Sequence, residues 1–486
     1  MVQVDTNDQN LKKSIVQSQV ISLCKSPTAS GLLKQIGEEL ECGRSIATEV
    51  LSGGLTNYSY KITVTGHPTI ELYAKLTFER AMWNPDSGQA CNLERTVSEF
   101  NIMEIYAKHN PDLVAKPLAC VDVDFDLNKM KLLISEWCPN DEQFANQLID
   151  GFVDERVISK ISEALATLHN LDFDPLFNEE LRPFLLTAFD LFRAKVNIDA
   201  EPPKDQEANR TEKLCQGLGK DLLNTIVDNN IESFHERDCL IHNDYHPFNV
   251  IVERKPCTSS LEKFGESGLV TIVDWEMALA GPAGRDLGHM QAFPIACAIT
   301  HAINGNQDLA LNMIEFNNKF WDMYVEAMHR RGKSDSTYIA KVYRDSVGYL
   351  GRMAYLGYYS LGAHLDHLPH DNSSFSDLEY IRDALGVMGI KCLSLAFNEE
   401  NKHVSHEDLR STVQVLLQTE IQSALRLHNG ISVGRRSSTL RALGRQISDS
   451  ALTFPESIRR SISQSGRGSS IRMSVYLKEI LLEDGE

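Results

Sequence analysis

The chain has 486 residues, of which 42% are hydrophobic and 24% charged, as in ordinary globular proteins, and it is long enough for a two-lobed protein with extensions. Its net charge of −19 disfavours nucleic acid as a partner, because phosphate binding requires a concentrated basic surface. The ten cysteines show no CxxC or zinc-ligand spacing, which predicts reduced thiols and a cytoplasmic protein. We also expect no signal peptide and no transmembrane segment, because no run of about 18 apolar residues occurs.

The first 138 residues predict a helical extension followed by a small sheet. Residues 1–45 interleave polar and apolar positions as helices do, and alternating runs on both sides of Gly53 and Gly54 predict a hairpin. Strand periodicity also occurs at 70–76, 119–123 and 131–136, and helix periodicity occurs at 93–105. These segments predict a largely antiparallel sheet with one packed helix.

Helical periodicity dominates from residue 142 onward, for example over 157–168, with a polar surface loop expected over 201–211. Short apolar strands interrupt the helices at 239–241, 250–252 and 269–273. The predicted organisation is a helical extension (1–45), an N-lobe (46–138), a helical C-lobe (139–402) and a C-terminal helix with a tail (403–486).

The tail differs in composition from the rest of the chain. Residues 431–475 contain eight arginines, twelve serines and two acidic residues, which predicts disorder. A solubilising extension is one interpretation. The other is a basic segment that touches acidic surfaces and is released by phosphorylation, because Arg435-Arg436-Ser437-Ser438 resembles a site for basophilic protein kinases.

Two short segments carry the residues for chemistry. HNDYHPFN (242–249) contains Asp244 and Asn249, and VDWE (273–276) contains Asp274 and Glu276. Phosphoryl transfer requires a carboxylate that orients the attacking hydroxyl and oxygen ligands that hold Mg²⁺. We therefore predict Asp244 as the catalytic base and Asn249 and Asp274 as metal ligands. Glu276 is predicted to approach a second Mg²⁺ or to orient the substrate.

Two other interpretations of the same segments are weaker. Asp244 and Asn249 are residue types that also form turns, but the flanking strands and the later Asp274 would then be coincidental. His242 and His246 have the i, i+4 spacing of zinc ligands, but that geometry requires a helix through Pro247, and no third ligand is apparent.

HNDYHPFN and VDWE together resemble the aminoglycoside phosphotransferase and choline kinase superfamily, over roughly residues 45–400. The resemblance implies an α+β, two-lobed protein-kinase-like fold with a small antiparallel β-sheet N-lobe and a mostly helical C-lobe. It further implies an ATP- and Mg²⁺-dependent kinase that phosphorylates a hydroxyl of a small polar metabolite. The protein-kinase DFG motif is replaced by Asp274-Trp275-Glu276, which disfavours a protein substrate.

The resemblance also implies roles for residues outside these segments. Lys75 would hold the α- and β-phosphates, with Glu99 as its ion-pair partner and Glu94 as the alternative. Asp286 would brace the catalytic loop, although a helix cap is the leading structural interpretation. The remaining nucleotide-binding residues implied are Gly53, Gly54 and Asn57 over the phosphates and Glu136 and Cys138 at the adenine.

The acceptor is the open question. The Gly-Gly loop and DWE favour a choline- or ethanolamine-type amino alcohol, for which Tyr355, Tyr358 and Tyr359 share a helix face that would form an aromatic amine pocket. Trp321 and Tyr324 would supply a second wall.

Other features favour a sugar acceptor or no acceptor at all. GPAGRD (281–286) and RDSVGY (344–349) are similar to methylthioribose kinases, and Arg352 is then the candidate sugar-binding residue. An aminoglycoside or another sugar stays possible in this class. The alternative from another class is a catalytically silent binding module, which a lost lysine, base or metal acid would indicate; Lys75, Asp244 and Asp274 are all present.

Overall fold

The computed structural model describes residues 6–51, 57–66, 68–78, 93–125, 128–138, 142–201, 208–253, 270–359, 375–401 and 403–428. Gly53 and Gly54, the side chains of Tyr358 and Tyr359, and the tail beyond residue 428 lie outside the described residues, so the expectations for them stay predictions. Among the described helices, none has both the length and the apolar character needed to cross a bilayer.

The N-terminal part contains a five-stranded antiparallel sheet, as the sequence predicts. Its strands are β1 (Ile46–Leu51), β2 (Tyr58–Val64), β3 (Ile70–Phe78), β4 (Pro117–Phe125) and β5 (Asn128–Glu136), in the order β1-β2-β3-β5-β4. Helices α1 (Thr6–Cys24) and α2 (Gly31–Glu41) pack with one face of this sheet, where Leu72, Ala74 and Leu76 are buried. Because side chains alternate along a strand, Lys75 of β3 points to the opposite face.

Helix α3 (Glu94–Ala107) lies against that opposite face, but its apolar side belongs to the core of the helical lobe. Ile102, Met103 and Tyr106 pack in that larger core, and the Tyr106 hydroxyl donates to the Ala164 carbonyl at 2.9 Å. The Ser98 hydroxyl donates to the Asn178 side chain, which also belongs to the helical lobe. The helix therefore connects the two cores.

The C-terminal part is helical, as the sequence predicts. Its helices are α4 (Phe144–Ile149), α5 (Glu155–Leu168), α6 (Arg182–Asp199), α7 (Arg210–Leu218), α8 (Lys220–His235), α9 (Ala283–Ile303), α10 (Gln307–Arg330), α11 (Ser336–Tyr359), α12 (Phe375–Phe397) and α13 (His406–His428). The loop expected over 201–211 ends earlier than predicted, because α7 begins at Arg210.

Helix α9 is buried along its length and crosses α11 closely. A Cβ on Gly284 or Gly288 would stand 2.6 Å from a backbone nitrogen of α11, so only glycine permits this approach. This crossing fixes the first turns of α9 against α11 and so positions Arg285, Asp286 and His289.

Short strands interrupt the helices, close to where the sequence places them. They are β6 (Glu142–Gln143), β7 (Cys239–Ile241), β8 (Val250–Val252), β9 (Val270–Ile272) and β10 (Leu279–Gly281), paired as β6-β8-β9 and β10-β7. The loop after β7 and the loop after β9 carry the two candidate chemical motifs. The Val273 amide donates to the Asn249 carbonyl at 3.0 Å, which joins the two loops.

Candidate active site

A buried carboxylate holds the loop that follows β7. Asp286 is fully buried, and its two oxygens accept the backbone amides of His242 and Asn243 at 2.8 and 2.7 Å. Asn243 has φ +68°, a left-handed conformation that asparagine tolerates better than most residues. The two bonds to Asp286 compensate for this conformation and hold the start of the loop in place.

The sequence-based expectation that Asp286 caps its own helix is wrong. Pro282 occupies the N-cap position of α9, and Asp286 lies in the first turn. Its carboxylate reaches across to the loop and also contacts His169 Nε2 at 3.2 Å, while His169 Nδ1 lies 2.9 Å from the Tyr324 hydroxyl. The bracing contact that the family resemblance implied is therefore present in the structure.

Asp244 presents a partly exposed carboxylate beyond this braced segment, with 37% of its side chain exposed. Asn249 Nδ2 donates to Asp244 Oδ2 at 3.0 Å, and His246 Nε2 lies 3.4 Å from Oδ1. Burial alone would raise the pKa of Asp244, but His246 beside it outweighs burial and holds this pKa well below its usual range. The Asp244 carboxylate is therefore ionised at neutral pH and acts as a hydrogen-bond acceptor.

Lys75 is the cationic centre of the N-lobe side of the site. It is 3% exposed, and its Nζ contacts Glu99 at 2.9 Å, Asp274 at 2.6 Å and Glu276 at 2.8 Å. Burial would lower the pKa of Lys75, but the three carboxylates outweigh it and hold this pKa well above the usual value. The contact with Glu99, rather than with Glu94, matches the ion pair that the family resemblance implied.

The carboxylates around Lys75 differ in their own ionisation. Burial, with Asp274 and Glu276 nearby, raises the pKa of Glu99 to about 7. For Glu276 burial acts in the same direction, but Lys75 and Arg95 outweigh it and lower this pKa. The site therefore holds an excess of acidic groups, and Glu99 takes up a proton more readily than Glu276.

Glu276 is bound from three sides. Its Oε2 accepts from Lys75 and from Asn57 Nδ2 at 2.8 Å, and Arg95 Nη1 lies 3.4 Å from its Oε1. Arg95 also donates to Asn57 Oδ1 at 3.2 Å. Both oxygens of Glu276 are thus engaged by residues of the N-terminal part, so this side chain ties β3, α3 and Asn57, directly before β2, to the loop after β9.

Asp274 differs from Glu276 because its side chain is 39% exposed. It has φ +65°, a left-handed conformation, at the junction between β9 and a short 3₁₀ helix, Trp275–Met277. Carboxylate oxygens of Asp274, Glu99 and Glu276 lie within 4.8 Å of one another, and oxygen donors suit Mg²⁺. Because the other two carboxylates are buried against Lys75, Asp274 is the member of this group best placed to hold a metal ion.

The structure places the remaining predicted nucleotide residues at the end of β5. Glu136 ends the strand, and its amide donates to the Lys116 carbonyl at 2.9 Å. Cys138, partly exposed, lies two residues further along the chain. Both lie where the five-stranded sheet gives way to the helical part, and their adenine-binding role stays a prediction.

The aromatic residues considered for an amine pocket belong to the core where the structure describes them. Tyr355 is fully buried, its hydroxyl donates to the Asp199 carboxylate, and its ring meets Phe192 edge to face. Trp321 packs against Tyr343 with ring centroids 4.7 Å apart. Helical spacing alone groups these rings on one face but does not show whether that face meets a cavity or a core.

The sequence patterns do not mark several residues near the site. Arg95 and His289 belong to no recognised motif, and His246 is marked only by the spacing of zinc ligands. One signal was available for Arg95: it precedes Glu99 by four residues and so shares its helix face. No signal of this kind marked His289, because its neighbours come from other elements.

The two lobes, the buried Lys75–Glu99 pair and the loop containing Asp244 together define a kinase-like phosphotransferase fold. Residues 48–308, more than half of the chain, match the model of the phosphotransferase enzyme family. The chain therefore belongs to this family, in agreement with the resemblance noted from its motifs. None of the curated proteins compared with the chain gives a significant match.

Solved structures are similar at low identity. An aminoglycoside phosphotransferase from Alicyclobacillus acidocaldarius is 11% identical, with 77% of this chain and 92% of that chain covered and a TM-score of 0.39. A glucosamine kinase is also 11% identical, with 78% and 84% covered and a TM-score of 0.42. Scores below 0.5 do not allow the acceptor of either protein to be transferred to this chain.

Proposed function

We propose that the protein is an ATP- and Mg²⁺-dependent kinase that phosphorylates a hydroxyl of a small polar metabolite. The observation that supports this proposal is the convergence of Lys75, Asp274 and the Asp244–Asn249 pair, which come from three separate parts of the chain. In this proposal residues 46–138 bind the nucleotide, and residues 139–402 bind the acceptor and carry the catalytic loop.

The acceptor hydroxyl would donate its hydrogen bond to Asp244. As the bond between the acceptor oxygen and the γ-phosphorus forms, the bond from that phosphorus to the ADP oxygen breaks, and the hydroxyl proton passes to Asp244 and then to water. A strong base is unnecessary, because the transition state is loose and the proton leaves late. The low pKa of Asp244 is therefore compatible with an orienting role.

The Lys75 ammonium would give up some of its contacts with the surrounding carboxylates and would contact the α- and β-phosphates instead. Its pair with Glu99 would keep the ammonium in place while the nucleotide binds. Asp274 and the Oδ1 of Asn249 would hold Mg²⁺, which neutralises charge on the phosphates when bound. Asn249 fits this role because the contacts described for its side chain run through Nδ2.

Two classes of acceptor follow from the motif resemblances. A choline- or ethanolamine-type amino alcohol is the class that the Gly-Gly loop and DWE favour, and a sugar such as methylthioribose is the alternative. The core position of Tyr355 gives no support to the aromatic amine pocket. Arg352, the residue considered for a sugar, is buried in the helical lobe. Both residues lie in the helical core, so the choice between the two classes is made by the acceptor panel described next.

The test measures ATP consumption in the presence of each member of a panel of hydroxylated metabolites. It compares the wild-type protein with the Asp244→Asn variant. Loss of the base should lower kcat by about 10²–10⁴-fold while stabilisation by Mg·ATP persists. Asp322→Asn, in an exposed pair with Arg410, is the matched control and should keep full activity. Retention of more than about a tenth of kcat in Asp244→Asn would contradict the assignment.

The catalytically silent alternative gives a different pattern. A binding module would be stabilised by Mg·ATP, and Asp274→Asn would abolish that stabilisation, but no acceptor in the panel would be turned over.

The eight cysteines that the structure describes are free thiols. A cytoplasmic location therefore stays a proposal that rests on the cysteine content.

A further inference from the structure

One buried arginine of the helical lobe has no polar partner among the described residues. Four arginines of the described part of the chain are at most 6% exposed. The polar partners of three of them are Glu276 for Arg95, Glu179 for Arg182 and the Asn243 side chain for Arg285. Arg352, 3% exposed, makes no hydrogen bond or ion pair with any described residue. Arginine is rarely buried in this way unless it is paired.

The surroundings of Arg352 make its charge more costly rather than less. Its guanidinium lies 3.7 Å from the centroid of Phe189, and a cation–π contact only partly replaces lost hydration. The charged group that acts most strongly on it is a second cation, Arg285. Burial, together with Arg285, lowers the pKa of Arg352 to about 9. At neutral pH this arginine is still charged, so the interior carries an unbalanced positive charge.

Arg352 belongs to a cluster of Arg285, His289 and Arg352, called the cationic cluster here after its two arginines; His289 itself is neutral at neutral pH, because burial and the arginines hold its pKa well below the usual value. Arg285 and His289 are one turn apart on α9, and Arg352 lies on α11. Four buried nitrogen atoms of the cluster lack a hydrogen-bond partner among the described residues: Arg285 Nη1, both ring nitrogens of His289, and Arg352 Nε. Unsatisfied buried donors are uncommon and usually indicate a missing partner.

The cationic cluster is next to the catalytic loop. The Arg285 guanidinium donates to the Asn243 side chain, directly before Asp244. Arg285 and Arg352 both lower the pKa of His289, and Asp244 acts on it in the opposite direction, so all three charged groups lie near its ring. The cluster therefore lies between the loop that carries Asp244 and helix α11 of the helical lobe.

We propose that the cationic cluster binds an anionic group, a carboxylate or a phosphate, of the same acceptor whose hydroxyl faces Asp244. This inference rests on the proposed kinase function and narrows its acceptor. The planar guanidinium of Arg352 matches carboxylate and phosphate oxygens, and the anion would supply the missing counter-charge. An amino alcohol would place its cation against these cations. The acceptor class is thus a hydroxy acid or a hydroxylated phosphate ester.

The test uses the full chain with saturating Mg·ADP, so that the nucleotide site is filled. Inorganic phosphate, glycerate, glycerol and choline are added at matched ionic strength, and Tm is measured. We expect a saturable rise in Tm with phosphate or glycerate and none with glycerol or choline. A response to phosphate alone indicates a phosphate ester, and a response to glycerate alone a hydroxy acid. Absence of both responses, or a response to choline, overturns the inference.

Arg352→Met removes the charge and keeps an unbranched side chain over Phe189. We expect its Tm without anion to equal or exceed that of wild type, and the apparent Kd for the anion to rise at least about tenfold. Arg352→Lys keeps the charge without the planar fork and should show an intermediate Kd, which keeps the inference testable if the Met variant does not fold.

Arg344→Met is the matched control on the same helix. The Arg344 guanidinium donates to the carbonyls of Asn401 and Val404, so this variant should lose stability but keep the anion response. If Arg352→Met instead lowers Tm and keeps the anion response, Arg352 is structural and the inference is overturned. A Mg·ATP response that depends on Asp274, without any anion response, overturns this inference alone and leaves the proposed kinase function intact.

Discussion

Replacing Asp286 with alanine removes the acceptor of three buried polar groups. These are the backbone amides of His242 and Asn243, at 2.8 and 2.7 Å, and the His169 ring nitrogen at 3.2 Å. An orphaned buried donor costs about 1–3 kcal/mol. We therefore expect the free energy of unfolding to fall by roughly 3–9 kcal/mol, a large part of the 5–15 kcal/mol typical of folded proteins. Asp286→Asn keeps one acceptor oxygen and should lose about half as much.

The measurements are denaturant unfolding and hydrogen exchange at the amides of His242 and Asn243. These two amides should exchange faster in Asp286→Ala, and kcat should fall because Asp244 follows them directly. Glu420→Ala is the matched control: it removes another buried carboxylate, whose partner Arg210 keeps a second carboxylate, Asp383.

The control should leave exchange in the loop unchanged. A loss below about 1 kcal/mol in Asp286→Ala, or loop amides that exchange no faster than in the control, would refute the bracing role.

The other predictions concern charge near the reaction centre. His246→Asn removes the cation that lowers the pKa of Asp244, so the acid limb of the pH profile of kcat/KM should move to higher pH; an unmoved limb would contradict the pairing. Glu99 has a pKa of about 7 in the folded protein, above its value in the unfolded chain. Its contribution to the free energy of unfolding is therefore fully present below the pKa of the unfolded chain, and it is lost as the pH rises through about 7. Glu99→Gln should therefore flatten the dependence of Tm on pH across that range, and an unchanged slope would argue against the raised pKa. Lys75→Met should raise KM for ATP without changing the order of preference among acceptors, and a changed order in steady-state assays would place Lys75 at the acceptor instead.

The fold and the motif residues could be predicted from the sequence because local signals mark them. Lys75 lies in an alternating strand, and Asp244 and Asp274 each follow a short apolar strand. The Lys75–Glu99 contact is the ion pair that the family resemblance implied, since family motifs encode positions as well as residue types.

The contacts that assemble the site could not be predicted from the sequence, because they join residues that are far apart in the chain. Asn57 meets Glu276 across 219 positions, and Asp286 meets His242 across 44. The sequence at the start of α9 resembles a helix cap at Asp286. In the folded protein the Asp286 carboxylate instead contacts the loop after β7. Tyr355 shows the same limit, because a helical period defines a face and not its neighbour.

The position of α3 makes the Lys75–Glu99 pair a mechanical link between two bodies. Glu99 is carried by a helix that Tyr106 and Ser98 fasten to the helical lobe, whereas Lys75 is carried by the sheet. Any rotation of the sheet away from the helical lobe would stretch this contact of 2.9 Å before it disturbed either core. Separation of the sheet from the helical lobe and loss of the Lys75–Glu99 contact would thus be a single event, so under the proposed function the separated state could not hold a nucleotide in a reactive position.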